Sequence, residues 1–179
     1  MNKILSILII ALFCISATYG QSDMGFGFDS TSKKVSAESK NTHFSKPIGY
    51  TNDFEHILSP NEIDALDSII KFFENETTIQ IAIVTLDSSY VAKEKFDYFI
   101  TALGNAWGVG QKNKKNGIMI GVSASLRKIK ISNGYGIEAK LSDNETKKII
   151  DEIILPEFKE GNYYKGLKKG LAAIMIKVR

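Results

Sequence analysis

The spacing of apolar residues changes period several times along the chain, and each change marks an element. Ser59-Pro60-Asn61-Glu62 has the form of a capping box with proline at the first helical position, and Ile63, Leu66, Ile69, Ile70 and Phe73 follow at the spacing of one helix face. A helix is predicted there. Ile79 to Leu86 is a near-continuous apolar, β-branched run, the pattern of a central strand covered on both faces. Phe96, Phe99, Ile100, Leu103 and Trp107 return to helical spacing, and Gly108-Val109-Gly110 ends that helix.

Asn116-Gly117 introduces a second buried strand, Ile118 to Val122, and Ser123 to Leu126 turns the chain into Arg127 to Ser132. There Ile129 and Ile131 alternate with Lys128 and Lys130, which implies one wet face and lysines guarding an edge. Ser142-Asp143-Asn144-Glu145 is another capping box, opening a helix with Ile149, Ile150, Ile153 and Ile154 inward, until Pro156 breaks or kinks it. A last helix starts near Asn162 and buries Tyr163, Leu167, Leu171, Ile174 and Val178, while Gly166 and Gly170 permit close approach of a neighbour. The order helix, strand, helix, strand, strand, helix, helix predicts an α/β fold, a three-layer α/β/α sandwich with a small mixed β-sheet. Its first two strands run parallel through a right-handed crossover.

The N-terminal stretch has a different character. Lys3 precedes an apolar run from Ile4 to Ala17, and small residues before Gln21 complete the pattern of a signal peptide over 1–20. Phe13 before Cys14 argues against lipoprotein processing. Residues 21–47, rich in Gly, Ser, Thr, Lys and Asn, read as a flexible tether, although Met24-Gly25-Phe26-Gly27-Phe28 repeats an apolar motif within it. The folded unit is then 48–179. The expectation is an exported protein, periplasmic or secreted after signal-peptide removal, with no membrane span in the mature chain.

Composition narrows the chemistry. The 179 residues are 44% hydrophobic and 24% charged, an ordinary globular balance, and the net charge of +3 is spread without a basic run that would suggest nucleic acid. Cys14 is the only cysteine, and His43 and His56 are the only histidines, so thiol catalysis and thiolate or poly-His metal sites are excluded. Any chemistry falls to carboxylates, hydroxyls, amides and backbone.

Several segments in order resemble one family. They are Gly49-Tyr50-Thr51-Asn52-Asp53-Phe54 with Leu58-Ser59-Pro60, Gln80 to Thr85, Trp107-Gly108-Val109-Gly110-Gln111-Lys112, Asn116-Gly117-Ile118, Gly134-Tyr135-Gly136-Ile137-Glu138, Leu141-Ser142-Asp143 and Ile154-Leu155-Pro156. Together they resemble the TPM domain family, named for thylakoid-lumen, photosystem-II repair and nematode receptor-modulating members, over essentially all of residues 48–178. The resemblance implies an exported α/β sandwich that binds calcium or other divalent cations. It also implies assembly or repair work through an envelope protein partner, or alternatively a metal-dependent acid phosphatase-like hydrolase. The family often has an Asp before the asparagine-glycine pair, where this chain has Lys115.

A hard cation, calcium or magnesium, needs several oxygen ligands, and no twelve-residue EF-hand loop is present. The candidate metal residues are therefore scattered: Asn52, Asp53, Asp87 and Glu138. Asp87 follows the first predicted strand, where ligands gather in open α/β sheets, but it also suits a turn. Asn52 and Asp53 are expected in a loop, and Glu138 follows glycines that permit unusual backbone angles. Parallel strands would put Asp87 and Glu138 at opposite ends of the sheet, so they cannot share one ion. No Gly-x-Ser-x-Gly elbow and no nucleophilic cysteine loop is present, which leaves catalytic residues unassigned and favours a binding module over an enzyme.

Overall fold

Four strands lie side by side in the order in which the chain supplies them: β1 (Thr51–Asp53), β2 (Gln80–Thr85), β3 (Gly117–Ser123) and β4 (Lys128–Asn133). In this computed structural model, which describes residues 46–179, β1 pairs parallel with β2, β2 parallel with β3, and β3 antiparallel with β4. The predicted signal peptide and the tether up to residue 45 lie outside the described residues.

Alternation along the strands builds two cores. Ile81 and Ile83 of β2, with Ile118, Ile120 and Val122 of β3, face a cluster that includes Leu66, Ile70 and Phe73 of α1 (Pro60–Thr77) and Leu167, Leu171 and Ile174 of α6 (Tyr163–Val178). Ala82, Val84 and Met119 point the other way, against Phe96, Ile100 and Leu103 of α2 (Phe96–Trp107). The sandwich therefore has three layers, as the apolar pattern predicts. Both crossovers, β1-α1-β2 and β2-α2-β3, step in the same direction across the sheet, yet their helices cover opposite faces. Their hands are therefore opposite, and the right-handed preference is obeyed by one alone.

Local signals hold at several boundaries. Ser59 and Glu62 close the capping box of α1, and Ser142 and Glu145 close that of α4 (Asp143–Lys148). After α3 (Tyr135–Glu138) and α4 the chain runs through a π-helical segment, Ile149–Ile154, into α5 (Leu155–Lys159). Pro156 lacks an N–H and its ring collides with the carbonyl one turn back, and the wider π turn before it relieves both constraints without ending the helix. Gly166 and Gly170 of α6 pack where a Cβ would come within 2.6 Å of Phe158 and of Ile154, respectively.

Two expectations need correction. Asn52 and Asp53 belong to β1, a three-residue strand on the sheet edge, not to a loop. Gly134 and Gly136 do not adopt left-handed angles; the left-handed residue nearby is Lys115, at φ 50°.

Candidate functional site

The parallel pairing gathers polar side chains at the carboxyl ends of β1, β2 and β3. Asp53 lies opposite Thr85 in the register, and Asp87 follows two residues later, so both carboxylates emerge at the same end. Asp53 accepts from the Ile57 amide at 3.2 Å, the Leu58 amide at 2.8 Å and the Thr85 hydroxyl. It thus ties β1 to β2 and shapes the entry to α1, a structural hydrogen-bonding role. Glu55 reaches across to the β3–β4 turn, where its two oxygens accept the amides of Ala124 and Ser125, each at 2.8 Å.

Asp87 opens the exposed turn that follows β2. Its Oδ1 accepts the Ser89 amide at 2.7 Å and the Ser89 hydroxyl at 2.5 Å. The Ser89 hydroxyl, aided by that amide, holds the Asp87 carboxyl below its usual range. Its Oδ2 makes no hydrogen bond to the described residues. Beside this turn Tyr90 is exposed, with its ring centroid 5.8 Å from that of Phe54.

Asn52 is buried and fully engaged. Its Oδ1 accepts the Ile48 amide at 2.7 Å, and its Nδ2 donates to the carbonyls of Gly49 and Ile83 at 3.0 and 3.3 Å. Glu138 is exposed on α3, which follows β4 and therefore sits beyond the amino ends of β2 and β3. Asp87 and Glu138 thus lie at opposite ends of the sheet, as the sequence predicts, while Asp53 shares the Asp87 end and Asn52 braces the strand. Among the described residues no three His, Cys, Asp or Glu side chains form a group able to hold a metal ion.

The amino end of the sheet is a polar lock. Asn116 accepts the Gln111 amide at 2.8 Å and donates to the Thr78 carbonyl at 2.7 Å, and Gln80 accepts the Gly110 amide at 2.7 Å. The tryptophan-glycine and asparagine-glycine segments are thereby fixed to one another and to β2. Gly136 completes the lock, because a Cβ there would stand 2.1 Å from the Lys114 carbonyl oxygen. No local pattern marks Glu55, Thr85 and Gln80 as site residues, because their partners lie about thirty to seventy residues away.

No helix among the described residues is long and apolar enough to cross a membrane. The TPM domain family model matches residues 51–177. No curated protein matches the chain. Among solved structures, the solution structure of the N-terminal domain of a P. gingivalis protein is 29% identical, with a TM-score of 0.63 over 71% of this chain and 80% of that one. The N-terminal domain of the cg2496 protein from Corynebacterium glutamicum is 11% identical, with a TM-score of 0.56 over 74% of this chain and 81% of that one, and shows the likeness of fold alone. The family match spans the whole sandwich from β1 to the last turn of α6, and on that ground the chain belongs to the TPM domain family.

Proposed function

We propose that this TPM domain is an exported binding module that takes a divalent cation, calcium or magnesium, at the carboxyl ends of its parallel strands. From that end it would engage an envelope protein partner. One observation carries the reading: parallel pairing brings Asp53 and the half-exposed Asp87 to one end, beside exposed Ser88, Ser89 and Tyr90. Asp87 would offer its free Oδ2, and Asp53 a second carboxylate, with loop carbonyls and water completing an oxygen shell. Two carboxylates without a cage imply weak affinity, on the order of 0.1–1 mM, the range of extracellular calcium modules.

The test is a calcium and magnesium titration of the protein followed by amide NMR shifts. Saturable shifts at residues 53–55 and 86–90, weakened at least several-fold in Asp87→Asn, are the expected outcome. Asp87 is the residue to change because its hydrogen bonds are confined to its own turn, whereas Asp53 also supports the fold. Absence of saturable shifts up to roughly 10 mM ion would overturn the reading. Phosphate release from phenyl phosphate above buffer background would replace it with the metal-assisted phosphomonoesterase that the family resemblance offers as the alternative.

A further inference from the structure

A cleft of about 590 Å³ opens on the α6 side of the sheet, between the β3–β4 turn and the corner joining α5 to α6. Its volume falls in the range of small-molecule sites, and its lining is divided by chemistry. Ile129, Leu155, Phe158 and Tyr163 make an apolar wall, with the rings of Phe158 and Tyr163 4.9 Å apart. Arg127 and Lys159 supply two cations from opposite sides of the opening.

Three of the other charged side chains near this cleft are already matched, while Glu160, exposed between Lys159 and Gly161, is not paired with the described residues. Lys128, which also contributes to the lining, has its ammonium 2.9 Å from Asp97 on the opposite face of the sheet. Glu157 is taken by Lys165 and Lys169 at 3.0 and 2.6 Å. Glu55, the carboxylate that reaches the turn, has both oxygens on backbone amides. Arg127 and Lys159 form no ion pair with the described residues, and Arg127 is held in a left-handed conformation at φ 52°, one that non-glycine residues seldom adopt. On the facing side Gly161, at φ 78°, turns the chain from α5 towards α6.

We propose that this cleft binds a small amphipathic anion, one oxyanion group on an apolar body. The headgroup lies between the Arg127 guanidinium and the Lys159 ammonium, and the body packs on Ile129, Leu155, Phe158 and Tyr163. An oxyanion gains charge-assisted hydrogen bonds from a guanidinium fork, and the apolar body gains by leaving water. Neither half alone accounts for the lining. This site is separate from the Asp53–Asp87 end and requires no metal.

The test follows amide shifts of the protein in EDTA with 4-phenylbutyrate as probe. Acetate supplies the charge alone and 4-phenylbutan-1-ol the body alone; phenyl phosphate tells a phosphate head from a carboxylate. Saturable shifts confined to residues 123–129 and 155–163, with acetate and the alcohol at least tenfold weaker, are expected. The double variant Arg127→Gln, Lys159→Gln should keep its melting temperature, because both side chains are exposed, and lose tenfold or more in affinity. Equal affinity for the alcohol, shifts centred elsewhere, or an unaffected double variant would each overturn the proposal. Saturation by phenyl phosphate but not by phenylbutyrate would identify the head as a phosphate.

Discussion

Gly136 is required by space and not by backbone freedom. Its angles are ordinary, but α3 is pressed so closely on the chain before β3 that a methyl group would stand 2.1 Å from one carbonyl oxygen and 3.1 Å from the next, those of Lys114 and Lys115. Neither backbone oxygen can turn aside as a side chain would. Gly136→Ala should therefore cost roughly 1–3 kcal/mol or more, read as a lower denaturant midpoint at unchanged slope. A change within experimental error would show that α3 lifts freely from the turn. The glycine-tyrosine-glycine-glutamate segment was legible as special, but its reason was not, because the carbonyls it avoids lie more than twenty residues earlier. Asp53 stands out by its place in the family motif, but its strand is hidden, since three residues are too few for alternation to register. Glu55 left no trace in the sequence pattern, as its two amide donors lie 69 and 70 residues away.

At the scale of elements, one carboxylate joins both ends of the C-terminal helical layer. Glu145 sits in the first turn of α4 and accepts from Ser142, while Lys177, in the last turn of α6, approaches to 2.8 Å. Lys177 foremost, and then Ser142, draws the Glu145 carboxyl down to about 2. A carboxyl depressed on folding stabilises the protein above its ordinary value near 4.5, and that contribution is lost as pH falls towards 2. Acid titration of stability should therefore decline less steeply between those values in Glu145→Gln than in the parent, as followed by circular dichroism in urea at fixed pH. Parallel curves would remove Glu145 from the acid response. Both capping boxes were legible because their paired residues are only three apart in sequence. The π turn before Pro156 was not, because a proline in an apolar helical pattern fits a break, a kink or a widened turn equally well.

At the scale of the molecule, two cores share one sheet. β2 and β3 present alternate residues to both, so neither layer can lose its packing without exposing the reverse side of the same strands. A single cooperative transition follows. Trp107, the sole tryptophan, packs with the α2 core, whereas α1 and α4 to α6 cover the other face and dominate the helical signal. Its fluorescence and the far-ultraviolet signal should give the same midpoint; separate midpoints would show that one layer detaches first. The sandwich and the parallel pair of long strands were legible because buried runs and amphipathic stripes are local properties. The opposite hands of the two crossovers were not, since they depend on the short β1 and on the face that α1 covers.

The order of the strands across the sheet has a consequence for synthesis. Each strand lies beside the one made just before it, and none must be inserted between two already in place. A chain emerging N-terminus first can add β2 to β1, then β3, then β4, with each helix laid down as its turn comes. Until β4 arrives, the growing sheet presents β3 as an open edge with apolar residues on both faces, so the interval between residues 123 and 133 is the stage at which a nascent copy is most exposed to pairing with its neighbours.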